Sequence, residues 1–101
     1  MSYTKILIVG TNKPIMETIA RLIDQNEKWQ ATIALNLNDA LERCYAKDFS
    51  LVLIGAGVND DQEQVIRLHL STIGLNIPVV KHYGGGSGLL FAEIYQALGY
   101  S

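Results

Sequence analysis

A chain of 101 residues holds one compact domain, residues 1–101, and has no room for a second. Its 49% apolar residues exclude a disordered chain, and 8 basic against 10 acidic side chains leave a net charge of −2 with no basic stripe to follow nucleic-acid phosphates. Apolar runs stop at four or five residues, far short of the ~20 that span a bilayer, and the first residues show no signal-peptide pattern, so a soluble cytoplasmic protein that engages neither nucleic acid nor membrane is expected. The lone cysteine, Cys44, rules out an internal disulfide, and no Cys/His spacing suggests zinc or another metal.

Short β-rich runs alternate with amphipathic segments, the pattern of βαβ units around a parallel sheet. The first strand is Lys5 to Val9, whose near-continuous apolar character fits a central strand covered on both faces. The first helix begins at Thr11 or Asn12 as N-cap, tolerates Pro14 in its first turn, and places Ile15, Ile19, Leu22 and Ile23 on one face. A second strand, Ala31 to Leu35, is flanked and interrupted by Gln30 and Thr32, which argues for a sheet edge. Asn36 caps the second helix, Asp39 meets its free N–H groups, and Leu37, Leu41, Cys44 and Tyr45 form its inward stripe, with Cys44 a small core hydrophobe.

The third strand is Leu51 to Ile54, followed by the turn Gly55-Ala56-Gly57 and a third helix that starts at Asn59-Asp60-Asp61, where the acids act as capping charges. Val65, Ile66, Leu70 and Ile73 make its stripe, Gly74 ends it, and His69 beside that stripe reads as a structural histidine. The fourth strand, Ile77 to Lys81, accepts Pro78 near its start, and Lys81 guards it against edge pairing. The last helix runs from Gly88 to Leu98, with Leu90, Phe91, Ile94 and Leu98 inward and Gly99 as its stop. The whole is an α/β domain of four βα units around a parallel sheet.

The succession Lys5-Ile-Leu-Ile-Val9, Asn38-Asp-Ala-Leu-Glu-Arg43 with Lys47-Asp-Phe-Ser-Leu-Val-Leu-Ile54, and Ile77-Pro-Val-Val80 resembles the response-regulator receiver (CheY-like) domain of two-component signalling, over residues 4–80. The resemblance implies a flavodoxin-like three-layer sandwich on a parallel four-stranded sheet of order 2-1-3-4, one βα unit shorter than a receiver. It lies in the hydrophobic framework, not in the active-site residues. Receivers carry an acidic pair after strand 1, a phospho-accepting aspartate after strand 3, a Thr or Ser after strand 4 and a lysine after strand 5. Here the acidic pair falls on Gly10 and Thr11, the phospho-acceptor on Gly55, and the hydroxyl near Tyr83 and Gly84, while Lys81 does not correspond to the family's lysine. Magnesium needs oxygen ligands and aspartyl phosphorylation needs a carboxylate, so the resemblance implies a degenerate receiver that cannot run the phosphorylation switch and is not an enzyme.

Two functions are therefore expected from different classes. The first is a non-catalytic pseudo-receiver that binds a protein partner or itself, possible as a homodimer, with Phe91, Tyr95 and Tyr100 as candidate contacts because aromatics concentrate in interface cores. The alternative is a sensor of a small anion or nucleotide, held by Gly10, Thr11, Lys13, Gly55, Gly57, Gly84, Gly85, Gly86 and Ser87 on loops that share the carboxyl edge of the sheet. Against it, the glycine run matches neither the Walker lysine loop nor a dinucleotide fingerprint, and glycines on neighbouring loops also serve simply to let backbones approach. A phospho-carrier subunit of similar size would need a nucleophilic cysteine after strand 1, where Gly10 stands. No cofactor is implied.

Overall fold

The computed structural model describes residues 4–46, 48–82 and 86–99, with the side chains of 86–88 left aside. Four parallel strands, β1 (Thr4–Val9), β2 (Trp29–Ala34), β3 (Leu51–Ile54) and β4 (Val79–Lys81), stand in the order β2-β1-β3-β4. Helices α1 (Lys13–Asp24), α2 (Leu37–Cys44), α3 (Asp60–Thr72) and α4 (Gly86–Ala97) alternate with them. No described helix is long and apolar enough to cross a membrane.

Side chains alternate across a strand, and here both sheet faces are apolar. Ile6, Ile8, Leu51 and Leu53 pack with Met16, Ile19, Ile23, Leu90 and Ile94 of α1 and α4. Leu7, Val9, Val52 and Ile54 pack with Ala40, Cys44, Ile66 and Leu70 of α2 and α3. All of these strand residues are essentially fully buried, at about 1.5–3 kcal/mol each. A single helix cap contributes about 1 kcal/mol, so the two central strands dominate the stability. The helix sidedness follows from right-handed crossovers: the chain moves one way from β1 to β2 and the other way through β3 to β4, which puts α1 opposite α2 and α3. A helix leading to another strand beyond β4 would lie with α2 and α3. Instead α4 packs on the α1 face, so it closes the sheet.

Local signals place the helix ends. The side chains of Asn12, Asn36 and Asn59 accept from the N–H groups of Ile15, Asp39 and Gln62, and Asn59 and Gln62 complete a capping box. At the other end of α3, Leu75 N–H donates to Leu70 O and Gly74 N–H to Ser71 O while Gly74 takes φ +77°, a Schellman ending that needs glycine.

Several expected boundaries and stripes shift. β2 starts at Trp29 because Trp29 and Gln30 pair with Thr4 and Lys5, and the Trp29 ring is buried. β4 starts at Val79, since Pro78 has no N–H to enter the ladder, although its carbonyl accepts from Val52 N–H. α4 starts at Gly86 and ends at Ala97. The inward position of α1 is Met16, with Ile15 exposed; Tyr45 of α2 and Val65 of α3 are exposed as well. Phe91 and Leu98 pack at the margin of the α1/α4 cluster.

Cys44 is fully buried, and burial pushes its thiol above the ordinary value. We expect its reaction with a thiol-reactive disulfide at pH 8 to follow the unfolding rate of the native protein and to become immediate in denaturant. A fast phase in the native protein would contradict that burial.

Candidate functional site

The loops after β1, β3 and β4 meet at the carboxyl edge, where open parallel sheets bind ligands beside the switch between β1 and β3. In this chain that switch point is closed by packing. A β-carbon on Gly10 would lie 2.5 Å from Met16 Sδ, and one on Gly55 would lie 2.6 Å from Met16 Cε. Met16 is fully buried, held by Asn12, whose carbonyl accepts from Met16 N–H in the first turn of α1. Gly57, at φ +91°, accommodates the Thr11 hydroxyl, which sits 1.8 Å from where its β-carbon would be. The glycines on the two loops are thus the complement of Met16 and Thr11.

The backbone amides here are engaged. Gly10 N–H donates to Ala34 O at 3.1 Å, Thr11 N–H to Ala56 O at 3.2 Å, and Gly55 N–H to Val9 O at 2.7 Å. An anion cradle built on these three would have to break the bonds that join the loops. Beside them, toward β2, lies a cavity of about 80 Å³ bordered by Gly10, Thr11, Asn36, Leu37 and Ile66. That is room for a few waters and well under the few hundred Å³ of a nucleotide-sized pocket. Lys13 is the first residue of α1 and is exposed. Gly86 and Ser87 belong to the first turn of α4, whereas Tyr83, Gly84, Gly85 and Tyr100 lie outside the described residues.

The ionised groups of this edge gather instead at the β3/β4 end. Lys81 Nζ lies 3.1 Å from Asp60 Oδ1 and 3.1 Å from Glu63 Oε1. Arg67 Nε donates to Glu63 Oε2 at 2.8 Å, and Arg67 Nη2 donates to the carbonyl of Val79 at 3.0 Å. Burial alone would raise the Glu63 carboxyl, but hydrogen bonds from Arg67 and Lys81 together with their charges outweigh it and hold it below its ordinary 4.5. Next along the chain, His82 is buried, its N–H donates to Ile54 O, and its Nδ1 donates to Glu93 Oε1 at 2.5 Å, which ties the end of β4 to α4. His69 sits edge-on to Tyr45 with its ring centroid 4.9 Å away.

Sequence reading does not single out Glu63, Arg67, Met16 or the His82–Glu93 pair. Glu63 shares the buried stripe of Ile66 and Leu70, so an acid in phase with a core stripe was the available signal. Of the aromatic contact candidates, Phe91 is half-buried with its ring centroid 6.0 Å from that of Trp29, and Tyr95 is 43% exposed and 5.1 Å from the same ring. No metal-holding group of His, Cys, Asp or Glu occurs among the described residues.

No protein-family model and no curated protein matches this chain. Solved structures do. A chain containing the yeast Spc42 trimeric coiled-coil segment, amino acids 181–211, in a fusion is similar at 22% identity and TM-score 0.78, with 97% of this chain and 82% of that one covered. A chain from the crystal structure of the P1 domain of CheA3 in complex with CheY6 from R. sphaeroides is similar at 21% identity and TM-score 0.64, covering 100% and 80%. At these identities the likeness establishes the α/β fold.

Two outcomes follow from this geometry. Gly55→Asp drives a carboxylate into Met16 and lowers stability by about 1–3 kcal/mol or more in urea unfolding. In a Met16→Ala background the same substitution costs less than in wild type, whereas a stable Gly55→Asp single variant would contradict the packing. Because the Glu63 carboxyl is held low in the folded state, its stabilisation is present above pH 4.5 and is lost as pH falls below that value through the folded one. Glu63→Gln is therefore less stable than wild type at pH 7, and the difference shrinks below pH 4.5 in unfolding curves recorded against pH.

Proposed function

We propose that this chain is a receiver-like signalling module that has lost aspartyl phosphorylation and works by binding a protein partner or a second copy of itself. The observation that carries the reading is Met16 seated against Gly10 and Gly55, two of the three loop positions at which the receiver resemblance would require carboxylates, the third being Thr11. A phosphorylation switch needs carboxylate oxygens for magnesium and for the phosphoryl group, and this crevice offers a thioether and backbone. The sheet order and the likeness to a chain of the CheA3 P1–CheY6 complex support a place among two-component signalling proteins. The position of α4 on the α1 face supports a receiver shortened by one βα unit, with α4 as its terminal helix.

Without a titratable switch at the crevice, the output is recognition. Exposed Tyr95 and half-buried Phe91, both tilted against the buried Trp29 ring at the amino end of β2, give a partner an aromatic contact, which is the kind of anchor that dominates protein interfaces. The alternative anion reading has less support, because the amides of Gly10, Thr11 and Gly55 already bond to carbonyls.

Titration with beryllofluoride and magnesium, followed by amide chemical shifts, tests the proposal. The Gly10 and Gly55 amides are expected not to move. A saturable, magnesium-dependent shift at Gly55 would overturn it.

A further inference from the structure

Met16 closes the carboxyl edge from the α1 side, and the cavity beside it toward β2 has a different chemistry. Val9, Leu35, Leu37, Val58 and Ile66 give it apolar walls, of which Val9 and Ile66 are essentially fully buried. Asn36 and Gln62 border it from the N-cap of α2 and the first turn of α3. The caps fix which end of each carboxamide is which. Asn36 Oδ1 accepts from Asp39 N–H at 2.8 Å and Gln62 Oε1 accepts from Asn59 N–H at 3.1 Å, so both oxygens are committed. What each side chain has left is its NH₂ group, and among the described residues no acceptor bonds to either nitrogen. Among the same residues, no charged side chain borders the cavity.

We propose that this cavity binds a small neutral molecule that carries a carbonyl oxygen on a short hydrocarbon, the class of an aliphatic ketone or ester. The walls take the hydrocarbon, and the amide nitrogens of Asn36 and Gln62 donate to the oxygen. Apolar walls with a few directed polar groups are how small ligands are recognised. With donors at the border and no cation, a carboxylate would be desolvated without a countercharge, whereas a carbonyl is satisfied by the two donors. Size sets an upper bound: about 80 Å³, at roughly 10–15 Å³ for each water-sized probe, holds about six non-hydrogen atoms. The place is the one where open parallel sheets take their ligands, outside the carboxyl end of β1. The inference does not depend on the receiver reading.

Methyl isopropyl ketone, a probe of this class and of matching size, tests it by titration followed in backbone and side-chain amide shifts. Saturable shifts are expected at the Leu37 and Ile66 amides and at the side-chain NH₂ groups of Asn36 and Gln62, with a dissociation constant of about 1 mM, the scale that so few atoms reach. Isobutyrate, equal in size but charged, should bind about tenfold or more weakly. N36D and Q62E each keep an oxygen for the helix cap, so both should fold, and each replaces an NH₂ donor by an acceptor; each should weaken the ketone about tenfold or more. Shifts that rise without saturating, or that map away from the cavity, overturn the site. Equal binding of isobutyrate overturns the neutral ligand, and unchanged affinity in both variants overturns the two amides as its partners.

Discussion

The contact of Met16 with the α-carbons of Gly10 and Gly55 fixes the arrangement of the carboxyl edge. Any larger residue at either position would collide with a buried side chain in the first turn of α1, so the helix, the β1 loop and the β3 loop are set by one packing event. The hydrogen bonds of Gly10, Thr11 and Gly55 to neighbouring loop and strand carbonyls follow from that close approach. A crevice that in an open parallel sheet would be a wet, ligand-binding cleft is here continuous with the core.

The ionised groups at the same end of the sheet do structural work. Asp60 and Glu63 face Lys81, Glu63 also anchors Arg67, and His82 bonds to Glu93. These links join α3 to β4 and β4 to α4, the part of the molecule where the sheet stops earliest. Exposed ion pairs of the Lys81–Asp60 kind contribute little by themselves. Glu63 differs because it is mostly buried and satisfied on both oxygens, so removing either partner leaves a carboxylate short of hydrogen bonds in a dry site.

Much of the framework was legible in the residues because the forces that set it are local. The inner place of β1 and the edge place of β2 followed from their apolar and more polar runs, the full strand order came with the receiver resemblance, and Asn36, Asn59 and Gly74 announced their caps through hydrogen bonds that span a few residues. The phase of α1 was not legible: Ile15 and Met16 are adjacent and both apolar, and only the distant glycines decide that Met16 faces inward. Tyr45 and Val65 misled for the same reason, since an apolar residue at the border of a stripe can be left in water at little cost. The bonds of Glu63 and Arg67 to β4 join positions far apart in sequence, which no spacing rule reads out.

The central claim is that a thioether fills the place where phosphoryl chemistry would need carboxylates and a cation. Nuclear Overhauser effects from the Met16 methyl group measure this directly. The account predicts strong effects to the α-protons of both Gly10 and Gly55, unchanged by magnesium. A Met16 methyl with no effect to either glycine and the averaged shift of a solvent-exposed methionine would contradict it.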